Sequence, residues 1–163
     1  MMTLEDLNLE DRAELEVALP RLLIIAGEVA ARAGDLLIFG PFDLNVAKYS
    51  LLIALSHMGE PVSMTEIGQH VLRSPSNLTQ LVDHLEQRGL VRRSASTHDR
   101  RVNLLDITDV GRQLLRQVDE HYHASMRESL KDHRTEELRQ FVAGLQETIV
   151  GSLQALQSHK KHL

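Results

Sequence analysis

The sequence predicts a mainly α-helical fold with one small β-hairpin. A helix-turn-helix leads straight into two short strands, and long helices flank this unit at both ends of the chain. Three observations predict it. Between residues 63 and 88 two helical segments, each with its own start signal, meet across a joint of two or three residues. Two short apolar segments, 90–91 and 102–107, follow at once and enclose a polar loop. Apolar residues recur at helical spacing over 11–37 and again from 109 to the C-terminal region.

The elements follow in order. Residues 11–37 place Leu15, Leu19, Leu22, Ala26, Val29, Ala30 and Ala33 on one helical face. Pro20 lies inside, where a missing N–H and a ring clash predict a kink or a new first turn. Gly40-Pro41 ends this helix. Asn45 then caps a second helix running to about His57, which Gly59-Glu60-Pro61 breaks. Ser63-Met64-Thr65-Glu66 is a capping box, in which hydroxyl and carboxylate each satisfy an orphan N–H. It opens a short helix to about Leu72. Ser74 and Pro75 suit the N-cap and first position of the next helix, which turns Leu78, Leu81, Val82 and Leu85 inward and stops at Gly89. After the hairpin, Thr108 caps a long helix with Leu114, Leu115, Val118, Tyr122, Met126 and Leu130 along it. Thr135 starts the last helix, with Leu138, Phe141, Val142, Leu145, Ile149, Leu153 and Leu156 along it.

The middle of the chain therefore reads as a winged helix-turn-helix, residues 45–108. The terminal stripes exceed what one small winged helix can cover, so 1–44 and 109–163 are expected to be dimerisation helices, all within one compact domain.

Composition narrows the function. The chain has 163 residues, 42% of them hydrophobic, with no cysteine and no tryptophan. Zero cysteines exclude disulfides, thiolate zinc sites and thiol catalysis, and suit a reducing compartment. The N-terminus MMTLEDLNLEDRAELE is acidic, unlike a secretory leader, and no apolar run is long enough to span a membrane. A soluble, cytoplasmic protein is expected. No Gly-rich phosphate loop, G-x-S-x-G or H-E-x-x-H is present, so no enzyme and no cofactor is expected.

The net charge is −5, yet residues 70–101 hold six arginines against three acids. A basic face on an acidic body is compatible with nucleic acid. In a helix-turn-helix, the start of the second helix meets base edges in the major groove. Here it carries Ser74, Ser76, Asn77, Thr79 and Gln80, then Asp83 and His84. Asn and Gln pair with adenine, while Ser and Thr suit bases or phosphates. A short polar face is also what simple solvation would produce. The hairpin shifts the balance, because Arg92, Arg93, Arg100 and Arg101 cluster at it and a narrow minor groove attracts such cations.

These residues resemble a known family. Glu66-Ile67-Gly68, the run from Asn77 to Glu86 (NLTQLVDHLE), Gly89-Leu90-Val91-Arg92-Arg93, Asp99-Arg100-Arg101 and Leu105-Asp106-Ile107-Thr108 are similar to the MarR family of transcription regulators. The family's wing pattern, D-x-R followed by L-x-[LI]-T, is matched by Asp99, Arg101, Leu105, Ile107 and Thr108. The resemblance covers about residues 43–113; elsewhere only the helix order agrees. It implies a homodimer on a pseudopalindromic double-stranded operator. The helix at 75–88 would sit in the major groove, with Arg101 in the minor groove oriented by Asp99. At the turn the family has a small residue and then an apolar one; this chain has Leu72 and Arg73, which makes Arg73 an extra candidate for phosphate.

The resemblance also implies a repressor released by a small-molecule effector, bound where the dimer helices meet the winged helix. Phe42, Tyr49, Leu52, His57 and Leu114 are the candidate lining, although each also suits plain core. Some relatives sense zinc, so a metal-responsive regulator using His57, His121 or His123 is one alternative. His121 and His123, however, lie two apart on a helix and point to roughly opposite faces, and no metal residue is assigned. The other alternative is a winged-helix protein-interaction module.

Overall fold

The structure, a computed structural model, describes residues 11–71, 75–96 and 103–160. It is mostly helical with a small antiparallel sheet, in the order expected. Asp11 caps α1 (Arg12–Ala33), its carboxylate accepting from the Ala13 N–H at 2.8 Å. The helix runs unbroken past Pro20, so no new first turn forms there. Proline removes only its own N–H from the ladder, and the chain keeps its helical course. The α-helix ends four residues earlier than position 37, widening into a π-helical turn (Gly34–Phe39) and tightening into a 3-10 turn (Gly40–Phe42). Asp35 of the π turn reaches across to accept the Val46 N–H at 2.6 Å. Together with Asn45, which accepts from the Lys48 N–H at 2.9 Å, it gives α2 (Val46–Met58) two caps.

Ser63 caps α3 (Met64–His70) as the capping box predicts, its hydroxyl accepting from the Glu66 N–H at 3.2 Å. α4 (Pro75–Gln87) follows. Its end is a Schellman turn: Gly89 N–H bonds the Glu86 carbonyl at 2.8 Å and Leu90 N–H bonds the Leu85 carbonyl at 2.9 Å. Gly89 sits at φ +69, where a side chain would be strained. The hairpin strands are β2 (Val91–Ala95) and β3 (Asn103–Ile107). A third strand that the sequence did not announce, β1 (Val62–Ser63), pairs on the far side of β3 and sets the order β1-β3-β2.

Beneath this sheet lies the core. Leu51, Leu52 and Leu55 of α2, Ile67 of α3, Leu78, Val82 and Leu85 of α4, and Leu105 of β3 are at most 1% exposed. Each contributes about 1.5–3 kcal/mol relative to exposure. Val118 of α5 (Asp109–Ser129) joins them. α5 is fixed at its start by Thr108, whose hydroxyl accepts from the Gly111 N–H at 3.0 Å and donates to the Gly89 carbonyl at 2.6 Å. The helix presses so closely on the hairpin root that a Cβ on Gly111 would lie 2.2 Å from the Leu90 carbonyl oxygen.

By internal packing the chain forms two units, Met1–Tyr122 and His123–Leu163. In the second, α6 (Thr135–Lys160) leaves Leu138, Leu145 and Leu153 half-buried and Phe141, Val142, Ile149 and Val150 exposed. In the first, Val17, Leu19, Ile24, Ile25 and Val29 of α1 are each more than half exposed. Among the described residues, no helix is long and apolar enough to cross a membrane.

Candidate nucleic-acid interface

The inward triplet Leu78, Val82 and Leu85 fixes how α4 faces. Burying it leaves Ser76, Asn77, Thr79 and Gln80 exposed along the outer side, with His84 half-buried a turn further on. These five candidate residues thus share one polar face. Arg73, Ser74, Asp99, Arg100 and Arg101 lie outside the described residues.

Two hairpin arginines are engaged within the protein. Cross-strand pairing sets Arg92 opposite Asp106, and its guanidinium donates to that carboxylate at 2.5 Å. Arg112 of α5 approaches the same carboxylate at 3.6 Å. Arg93 donates to Asp83 and to Glu86, binding α4 to β2. Burial would lower the Arg93 pKa, but hydrogen bonds and charge from Asp83 and Glu86 outweigh it and raise the group above its ordinary value. A third arginine, Arg88, donates to the Asp43 carbonyl at 2.7 Å and the Phe42 carbonyl at 3.0 Å. It holds Asp43 in a left-handed backbone conformation, φ 52 and ψ 39.

Arg93→Met should therefore loosen the tie between α4 and the hairpin. A half-exposed ion-pair network of this kind contributes about 1 kcal/mol. The two released carboxylates would also stand beside the polar face. Duplex affinity should fall roughly threefold to tenfold through like-charge repulsion alone, which low-salt titration of the variant against wild type would detect. Equal affinities would show that Asp83 and Glu86 lie too far from the bound phosphates to matter.

Between α2 and α4 is a hollow of about 300 Å³, lined by Ala47, Lys48, Asn77, Gln80, Leu81 and His84. Lys48 Nζ lies 2.8 Å from His84 Nε2 across it. Lys48 was not among the residues singled out in the sequence. It lies 36 positions from His84, and only its place one turn after the Asn45 cap marked it.

The five candidates for an effector cleft are divided. Tyr49 packs tilted against Phe39 at a centroid distance of 4.5 Å, stacks with Tyr122 at 6.3 Å and donates to Asp119 at 2.8 Å. Burial first, then the Asp119 carboxylate, pushes its phenol pKa well up. Phe42 meets His121 edge-on at 5.7 Å, and His121 Nε2 lies 3.1 Å from the Leu37 carbonyl. Both aromatic candidates thus meet α5 at consecutive residues. Leu114 is half-buried, Leu52 has no exposed surface, and His57 is exposed at the end of α2.

Known proteins agree with this geometry. The MarR family matches residues 42–102. The HTH-type transcriptional regulator MhqR of Bacillus subtilis is 32% identical over 118 residues, covering 72% of this chain and 79% of its own. Among solved structures, CouR from Rhodococcus jostii RHA1 bound to p-coumaroyl-CoA is 28% identical with a TM-score of 0.67, over 82% of this chain and 93% of that one. The transcriptional repressor CouR bound to a 23-mer DNA duplex is 26% identical with a TM-score of 0.72, over 86% and 97%.

Proposed function

The chain belongs to the MarR family of DNA-binding transcription regulators, and from that premise we propose a cytoplasmic, ligand-responsive repressor that binds a pseudopalindromic operator as a homodimer. The observation that carries this reading is the outer face of α4. Ser76, Asn77, Thr79 and Gln80 are exposed together on a helix whose opposite face is locked into the core. That is the arrangement a major-groove helix needs. In the same reading His84 extends this face, while Arg73 and Ser74 serve phosphates at the turn. Arg100 and Arg101 supply the wing, with Asp99 orienting Arg101.

Dimerisation is supported by the apolar residues that α1 leaves exposed and, separately, by those that α6 leaves exposed, each an aggregation liability on a monomer. The similar repressor CouR, solved with a DNA duplex and with p-coumaroyl-CoA, favours a small-molecule effector here. Phe42, Tyr49, Leu52, His57 and Leu114 are the candidate lining in this reading.

Selection from a random duplex pool tests the function. Wild type should enrich a near-palindrome with half-site centres about 10 bp apart. Arg101→Ala should weaken binding to it and lower the salt slope by about one unit for each cation withdrawn from the minor groove or from a phosphate. Binding that is equal for all duplexes, or absent, would overturn the repressor.

A further inference from the structure

The described arginines of α4 and the hairpin already have partners inside the protein. Arg93 is shared by Asp83 and Glu86, Arg92 is held by Asp106, and Arg88 is held by Asp43 and two carbonyls. Arg88 and Arg93 are neutralised by their carboxylates, and Arg92 shares the single Asp106 carboxylate with Arg112, so each of the three is held against an acid. Lys48 differs. Among the described residues no carboxylate lies within ion-pairing distance of it, and its Nζ is held by His84 Nε2 at 2.8 Å. An ammonium offers only donors, so in this contact the imidazole nitrogen is the acceptor. The lysine charge is therefore positioned without being cancelled.

Its position is the second observation. Lys48 stands in the first turn of α2, with its backbone N–H fixed by Asn45 at 2.9 Å. It lines the same hollow as Asn77 and Gln80, two side chains of the polar face on α4. A charge fixed beside base-facing side chains is placed for the sugar-phosphate backbone at the groove edge. Contacts of that kind set the register of a protein on the duplex.

We infer that Lys48, oriented by His84, is a backbone-phosphate contact that seats α4 in the major groove. The inference rests on the DNA-binding reading above. His84 is a positioning residue in it: it aims the ammonium from one turn beyond Gln80.

A mixed-sequence duplex of roughly 30 bp serves as the probe, because phosphate contacts need no operator. Affinity is measured from about 50 to 200 mM salt for wild type, Lys48→Gln, Lys48→Met and Lys48→Arg, with circular dichroism confirming the fold of each. Both neutral variants should lose about 0.9 units of salt slope per bound subunit. A fourfold rise in salt then costs wild type about 3.5-fold more affinity per subunit than either variant. Lys48→Arg should retain the wild-type slope. Neutral variants as steep as wild type would overturn the contact while leaving the DNA-binding reading intact. Wild type with no salt-dependent binding would overturn both.

Discussion

Phe141→Glu combined with Ile149→Glu is expected to give a folded monomer that has lost tight operator binding. In the single chain the two side chains are 69% and 56% exposed. Glutamate at either site therefore removes little buried surface and suits a helix better than phenylalanine or isoleucine. The isolated chain should fold as before. In a seam between two copies the same substitutions place four carboxylates against apolar surface, where an unpaired charge costs several kcal/mol. Association is then the property that suffers. A monomer binds one half-site and forfeits the millimolar effective concentration that a linked second half-site provides, roughly 10²–10⁴-fold in affinity. Leu145→Asp, on a half-buried position of the same helix, should have the same effect with a greater loss of stability. Light scattering across a low-micromolar to tens-of-micromolar series, with circular dichroism alongside, is the measurement. A wild type that stays monomeric at tens of micromolar yet binds a palindrome tightly would end the dimer proposal, as would a double variant that remains dimeric.

Gly111→Ala is expected to be the most damaging single methyl in the winged helix. The added carbon would lie 2.2 Å from the Leu90 carbonyl oxygen, 2.8 Å from Ile107 Cγ1 and 3.1 Å from the Leu90 carbonyl carbon. Two of these atoms are backbone, and the Leu90 oxygen accepts the Thr108 N–H at 3.0 Å. Rotating a side chain does not relieve the clash; α5 must lift from the hairpin root and break that bond. Overpacking of this kind costs about 3 kcal/mol, which for a chain of this size lowers the melting temperature by roughly 6–12 °C. Thermal and urea denaturation would measure it. An unchanged midpoint would mean that the α5 start is free to move away from Leu90.

Local signals carried much of the fold. The caps at Asn45, Ser63 and Thr108 all form the bonds their positions predict. Leu78, Val82 and Leu85 are buried as their spacing requires. The features that were not legible depend on distant partners. The π turn at Gly34–Phe39 arises where Asp35 reaches over to cap α2, eleven residues on. Strand β1 has only two residues, too short for any alternation to show. Arg92 and Arg93 read as free cations because their acids lie elsewhere in the chain. Arg92 could have been paired with Asp106 from strand register, since opposite charges facing across a hairpin attract. Arg93 could not, because its link to Asp83 depends on how α4 folds back against β2. Lys48 and His84 meet only through the packing of α2 on α4.

The grip of Arg88 on the carbonyls of Phe42 and Asp43 ties the far end of α4 to the 3-10 turn. The helix has 13 residues, about 20 Å of rigid rod, and is pinned immediately beyond its C-terminal end. Ser76 and Asn77 ride near the opposite tip. A swing of only about 10° about that pin carries the tip roughly 3 Å, whereas a hydrogen bond to a base edge tolerates about half an ångström. The reading end therefore keeps its register only while the helix axis holds to within about 1–2°, and the buried Leu78, Val82 and Leu85 hold it along its length.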